Sequence, residues 1–252
     1  MNQPMYKDYF SGVAESYQKY RPCYPVSLFD HLLTLIDARD IAWDCGTGSG
    51  QAAIRLAQFF NKVIATDASA EQIASAEQHP RVEYMNVPAE HSGLPDQCID
   101  MVTVAQALHW FDLPAFYSEV KRVVKPGGIL AVWTYGKMKL ELPELRSVIG
   151  HFYHDVVGPY WPPEREQVDD KYQSIPFPFE EISAPSFTIE SALVLEELAG
   201  YIYTWSATQN YISTLKKDPV PELVNQLQKV WEEPEFPLTF RWPISLKIGR
   251  VQ

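Results

Sequence analysis

The residues 41–50 read Ile41-Ala42-Trp43-Asp44-Cys45-Gly46-Thr47-Gly48-Ser49-Gly50, an apolar run that meets an acid and then three alternating glycines. Glycine tolerates positive φ and lets main-chain N–H groups approach a ligand closely, and a helix beginning at Gln51 would add its positive N-terminal end. A tight strand-to-helix turn needs the same glycines. The acid at the strand end and the strand-helix series around the loop point instead to a nucleotide-type site. A dinucleotide fingerprint would place its third glycine at position 51, where the chain has Gln51. A carboxylate at Asp44 would repel a pyrophosphate but pair with an ammonium group, directly or through water. No Gly-Lys-Ser/Thr follows, which excludes a phosphate-binding P-loop.

Asp67 ends the next apparent strand, 67 − 44 = 23 residues on, where a doubly wound sheet presents a carboxylate to both ribose hydroxyls. Its alternative role is to cap the helix that begins near Ser69. After the third strand, Val87-Pro88-Ala89-Glu90 lies on the ligand-facing edge, and Glu90 is placed to accept from an exocyclic amine. His109, just past the fourth strand, is the best-placed general base if the chemistry needs one; a structural histidine beside Trp110 is the alternative. In 151–154, His151 and His154 stand three apart without a partnered Cys, Asp or Glu at ligand spacing, so no metal site is expected.

The elements that must position these groups are legible from about 40 to 135. Strands are predicted at 40–44, 62–66, 81–86, 99–104 and 128–135, with helices at 51–60, 70–78 and 115–124 between them, the rhythm of a parallel sheet covered by helices. Lys125-Pro126-Gly127-Gly128 reads as a stop. An amphipathic helix at 26–36 follows a Tyr-rich leader, and the Pro-rich, aromatic stretch 138–179 breaks the rhythm. Closing strands are expected at 186–189 and 238–251, with helices at 192–203, 206–215 and 221–231. We expect one domain over 1–252: an N-terminal lid and first helix (1–37), a cofactor-binding core (38–136), a cap insertion (137–179) and closing strands and helices (180–252).

Composition narrows the partners. With 21 Lys+Arg against 32 Asp+Glu the net charge is −11, which disfavours nucleic acid, whose affinity comes mainly from cationic side chains. Three scattered cysteines, Cys23, Cys45 and Cys98, make neither a disulfide framework nor a CxxC site and suggest a reducing compartment. No apolar run is long enough to span or anchor in a membrane. The expectation is a cytoplasmic protein with a small-molecule partner; oligomeric state is not legible.

Taken together, Asp44 through Gly50, Thr66-Asp67-Ala68-Ser69, Pro88-Ala89-Glu90, 102–111 and Arg122 through Gly128 resemble class I S-adenosylmethionine-dependent methyltransferases. Within that class the chain resembles the small-molecule group that includes trans-aconitate methyltransferase, and the resemblance extends to 17–25. It implies an α/β, Rossmann-like, doubly wound seven-stranded sheet of order 3-2-1-4-5-7-6 with an antiparallel last strand. It also implies S-adenosylmethionine as cofactor: Asp44, Gly46 and Gly48 at the methionine moiety, Asp67 at the ribose, Ala68 at the adenine face, and Ala89 and Glu90 at its edge. Ala105 and Gln106 would lie beside the sulfonium, with Tyr17 and Arg21 over the methionine carboxylate; Arg21 has the alternative of pairing with a substrate carboxylate. Trp110 and Trp205 are expected to wall a substrate pocket. The base-modifying relatives carry Asn/Asp-Pro-Pro-aromatic after the fourth strand; Ala105-Gln106-Ala107-Leu108 departs from it. A carboxylate acceptor would need no base. The rival readings are a nicotinamide-dependent oxidoreductase and a cofactor-binding module without transfer activity.

Overall fold

The computed structural model describes residues 20–252; the tyrosine-rich leader and Tyr17 lie outside them. Helix α1 (Val26–Leu33) leads into β1 (Ile41–Cys45), α2 (Gln51–Leu56), β2 (Lys62–Asp67), α3 (Ala70–Ser75), β3 (Val82–Asn86) and β4 (Ile99–Ala105). A short 3₁₀ turn at Leu108–Trp110 precedes α4 (Leu113–Val123) and β5 (Val124–Tyr135). The cap carries α5 (Pro143–His151), a π-helical turn at Phe152–Val156 and α6 (Arg165–Asp169). Then come β6 (Glu180–Glu181), β7 (Phe187–Leu193), α7 (Leu195–Tyr203), α8 (Ser206–Leu215), α9 (Val220–Leu227) and β8 (Leu238–Arg250).

The strands form one mixed sheet of order β3-β2-β1-β4-β5-β8-β6, with β7 also paired to β8. β1 through β5 run parallel, and β8 inserts antiparallel beside β5 from Ile129↔Arg250 to Tyr135↔Ile244. The doubly wound order holds, with β8 in the place of the seventh strand and β7 in that of the sixth. The addition is β6, two residues long, which shares the outer edge of β8 with β7.

Side-chain alternation gives the sheet two dry faces, as parallel strands buried on both sides require. Ala42, Val63, Ala65, Met101, Ile129, Ala131 and Trp133 pack with α1, α2 and the cap. Trp43, Ile64, Val102, Val104, Leu130 and Val132 pack with α4. Phe29 of α1 meets Trp133 edge-on with ring centroids 6.1 Å apart.

Several boundaries differ from the sequence reading by a few residues, and two of the differences have a visible cause. Lys125 through Gly128 do not stand outside β5 but form an irregularity within it, between the pairings Ile99↔Val124 and Met101↔Ile129. Gly127 takes φ +85° there, and its N–H donates to the Val251 carbonyl. Likewise β7 runs on to Leu193, and α7 starts only at Leu195, where the Glu197 carboxylate accepts the Val194 N–H at 3.0 Å. No helix among the described residues is long and apolar enough to cross a membrane.

Candidate active site

At the C-terminal edge of β1 the chain turns through Gly46, Gly48 and Gly50 with φ of +67°, +56° and +87°. Two of these sites are also tight. A Cβ on Gly46 would stand 2.5 Å from the Ala107 Cβ, and one on Gly50 would stand 2.2 Å from the Tyr84 hydroxyl. Glycine is therefore required there both by backbone angle and by space.

Asp44 sits beneath this loop, 1% exposed. Its Oδ2 accepts from the Thr47 hydroxyl at 2.5 Å and its Oδ1 from the Thr103 hydroxyl at 2.7 Å. Burial outweighs those bonds and pushes its pKa up to about 6. Asp44 thus braces the loop from below and is not among the residues that line the cleft above it. Asp67, at the end of β2, does line that cleft. Its Oδ2 accepts the Gly48 N–H at 2.8 Å and its Oδ1 the Ser69 N–H at 2.9 Å. Helix capping falls to Ser69, whose hydroxyl accepts from the Gln72 N–H.

The cleft has a volume of about 680 Å³, inside the range of small-molecule sites. Gly46, Gly48, Asp67, Ala68, Ala89, Glu90, Ala105 and Gln106 all line it. The structure thus gathers these sequence-predicted residues into one wall. Glu90 Oε1 accepts the Asp112 N–H at 2.8 Å and so holds the start of α4. The cap adds Glu164, whose Oε2 is buried with no hydrogen-bond partner among the described residues. Among the described residues this cleft is lined by four carboxylate residues, Asp67, Glu90, Asp112 and Glu164, and by no Lys or Arg.

A second cavity of about 290 Å³ adjoins it, and Gln106 and Trp110 line both. Gln106 is held in the left-handed region at φ +59°, a costly conformation for a non-glycine residue that persists where the surroundings over-determine it. Here they do. Its N–H donates to the Trp133 carbonyl, its Nε2 donates to the Tyr135 carbonyl at 2.9 Å, and its Oε1 accepts from the Thr134 hydroxyl.

This second chamber reverses the charge. Arg21, Arg165, Arg146 and Lys137 line it together with His109 and His154, and among the described residues no Asp or Glu does. Arg21 donates to the Tyr135 hydroxyl at 3.3 Å and the Thr204 carbonyl at 3.0 Å, with its guanidinium 5.5 Å from the Tyr201 ring centroid. These contacts place it in the chamber and not among the described residues that line the first cleft. Arg165 lies 4.7 Å from the Trp161 ring centroid; its Nε is 3.3 Å from Asp169 Oδ1, close enough for an ion pair but without a hydrogen-bond angle. Trp161 and Trp205, with ring centroids 5.8 Å apart, stand in the apolar part of the wall beside Tyr153 and Tyr201.

His109 faces the chamber with Nδ1 2.7 Å from the Tyr172 hydroxyl. Burial, helped by the nearby Arg165 charge, holds its pKa down at about 3. The ring is therefore neutral near pH 7 and a weak base. Of the cap histidines, His151 has an acid partner after all, pairing with Asp155 one helical turn on at 2.7 Å, which corrects the sequence reading, and His154 approaches Lys137. No group of three or more potential metal ligands gathers among the described residues.

A family model described as a methyltransferase domain matches residues 43–132. A Dictyostelium discoideum protein named as a methyltransferase is 38% identical over 90% of this chain and 88% of its own length. The chain belongs to the class I S-adenosylmethionine-dependent methyltransferases. A solved Anaeromyxobacter dehalogenans structure described as a type II methyltransferase superposes on this methyltransferase with a TM-score of 0.85. It is 43% identical, covering 92% of this chain and 98% of the other. A Saccharomyces cerevisiae protein named as an S-adenosylmethionine-dependent methyltransferase is 23% identical over 90% of this chain and 91% of its own. None of these names carries the narrower trans-aconitate grouping.

The geometry agrees with a methyltransferase over a nicotinamide enzyme, because a dinucleotide pyrophosphate would meet four carboxylate residues and no Lys or Arg in the first cleft among the described residues. The sequence reading missed Arg165, Trp161, Tyr153, Tyr172 and Glu164, all from the cap. The only trace of them was the aromatic density of 151–163.

Proposed function

We propose that this methyltransferase binds S-adenosylmethionine in the first cleft and methylates a carboxylate oxygen of a small, flat acid held in the second. The observation that carries the reading is the division of charge across Gln106 and Trp110: carboxylates line one side, guanidinium and ammonium groups the other.

The first cleft fits a cationic ligand. Asp67, Glu90 and Glu164, whose Oε2 has no partner among the described residues, offer acceptors, and the loop at Gly46 and Gly48 allows close backbone approach. Gly46 and Gly48 would hold the methionine moiety over the Asp44 brace. Asp67 would take the ribose, and Ala68, Ala89 and Glu90 the adenine; Ala105 and Gln106 would lie beside the sulfur. When bound, the cofactor supplies a methyl group on a positively charged sulfur. A carboxylate brings its own electron pair, so no residue has to remove a proton. What remains for the chain is to align the acceptor, exclude water and hold the opposite charges face to face until transfer cancels them.

The second chamber sets the size of the acceptor. It is roughly twice the volume of a cavity that holds one benzene ring, room for about a dozen non-hydrogen atoms. Arg21 and Arg165 match a carboxylate in geometry as well as charge, and the Tyr153, Trp161, Tyr201 and Trp205 rings suit a planar apolar body. Such an acceptor, free in the cytoplasm, is the partner we assign; the net charge of −11 disfavours nucleic acid.

Calorimetric titration with S-adenosylhomocysteine, followed by assays with labelled S-adenosylmethionine on panels of carboxylates, phenols and amines, tests both halves. Micromolar binding and esterification of flat carboxylates are expected. Absence of binding to folded protein overturns the cofactor assignment, and turnover of phenols or amines alone overturns the acceptor.

A further inference from the structure

The contact between His109 Nδ1 and the Tyr172 hydroxyl, 2.7 Å, leaves Nε2 as the ring nitrogen available to the acceptor chamber. We propose that Tyr172 fixes His109 as its Nε2–H tautomer, and that His109 thereby donates a hydrogen bond to the acceptor carboxylate instead of removing a proton. The inference rests on the carboxylate reading above.

A neutral imidazole carries one proton, and the partner of one nitrogen decides the role of the other. Tyr172 is 1% exposed and held at φ +60°. Burial pushes its phenol pKa up, so the hydroxyl keeps its proton. That proton has two acceptors in reach, His109 Nδ1 and the Thr134 hydroxyl. Thr134 has none to give back. The Gln106 amide is oriented by its own bond from Nε2 to the Tyr135 carbonyl, which turns Oε1 toward Thr134 and makes Thr134 the donor there.

A carboxylate in the chamber decides between the two. It offers lone pairs only, so each wall group that meets it must donate. Arg21 and Arg165 do so by charge, and Trp161 adds an Nε1–H that is buried without a partner among the described residues. His109 joins this set only as the Nε2–H ring, and that ring needs an acceptor's role at Nδ1, which the Tyr172 O–H satisfies. The low basicity of His109 points the same way: a ring held neutral by burial is a poor general base near pH 7 and a sound neutral donor. Tyr172 is then a positioning residue and His109 a substrate-binding one.

Long-range ¹H–¹⁵N correlation spectra of the full-length, ¹⁵N-labelled protein with S-adenosylhomocysteine and cinnamate read the tautomer directly, with His109→Gln assigning the signals. Nε2 is expected to carry the proton in the wild type, and Tyr172→Phe is expected to shift the ring toward a mixture. An Nδ1–H ring in the complex overturns the proposal. Kinetics supply the second measurement: His109→Gln keeps a donor N–H but no basicity, so kcat/KM for cinnamate should fall less than about 5-fold, whereas His109→Leu should raise KM about 10-fold or more. Equal damage in both variants, expressed in kcat, overturns it too. Thermal unfolding and S-adenosylhomocysteine affinity report whether each variant folds. Carboxylate turnover with an Nδ1–H ring removes this inference alone; turnover of phenols or amines without any carboxylate removes it together with the acceptor reading.

Discussion

Asp67 Oδ2 accepts the Gly48 N–H at 2.8 Å, so the carboxylate that ends β2 closes the glycine loop that follows β1. One side chain thereby joins the two halves of the first cleft. Asp67→Ala should weaken S-adenosylhomocysteine binding by about 1–3 kcal/mol, the cost of losing hydrogen bonds to a charged acceptor together with the loop closure. Asp67→Asn, which keeps an amide oxygen, should lose less. Calorimetry decides it; unchanged affinity in the alanine variant would sink the ribose assignment.

The glycine at position 50 is demanded twice, by φ +87° and by the Tyr84 hydroxyl that a Cβ would meet at 2.2 Å. Gly50→Ala should destabilise the fold by about 2–4 kcal/mol, combining backbone strain with overpacking. Tyr84→Phe removes the nearest atom and leaves ring carbons 3.1–3.2 Å away. Urea denaturation of the double variant should therefore recover part of the loss. Additive damage would mean that the hydroxyl is not what the methyl meets.

Asp44 makes stability depend on pH in an unusual direction. Its folded pKa, raised by burial to about 6 from 3.8, means that the native state binds more protons than the unfolded chain between those values. Stability then falls as pH rises through that window, by about 3 kcal/mol at most for this one group. His109 acts oppositely: its folded pKa is depressed to about 3 from 6.5, so its contribution is lost as pH falls below about 6.5. Urea melts of wild type, Asp44→Asn and His109→Gln at pH 4.5 and 7 separate the two. Relative to wild type, Asp44→Asn should be better placed at pH 7 than at pH 4.5, and His109→Gln better placed at pH 4.5. A pH-independent difference for Asp44→Asn would show that the buried carboxyl does not titrate there.

The glycine loop and Asp67 were legible because strand, turn and helix follow one another within a few residues, and each step leaves a local signature. Gly50 must be glycine for reasons visible in the chain around it, even though Tyr84 supplies the steric part. Position 189 shows where local reading falters. The alternation Phe187, Ile189, Ser191, Leu193 continues β7 to its end, but Ser191 and Ala192 look polar and helix-compatible, and the boundary is set by Glu197 reaching back to Val194. The second chamber lay further out of reach. Arg165 opens the five-residue α6, Trp161 and Tyr172 lie outside any helix or strand, and none of them sits in a periodic pattern; they come together with His109 and Gln106 only because the cap folds back over the end of β4. Asp44 shows the converse: its type and place were plain, while its burial under Thr47 and Thr103 is a tertiary fact.

The division of charge between the two cavities should be readable in kinetics through Arg165. Its guanidinium is stacked on Trp161, with a side chain only 20% exposed, so it meets an acceptor with little water to screen it. Arg165→Met keeps most of the length and apolar contact while removing the charge. KM for a carboxylate acceptor should rise about 10- to 100-fold, the loss of one charge-assisted hydrogen bond, while S-adenosylhomocysteine affinity changes little because Arg165 does not line that cleft. Arg146→Met, at an exposed position, should cost much less, since water screens its charge. If Arg165→Met leaves KM unchanged and instead weakens cofactor binding, the two cavities do not divide the reactants as assigned here.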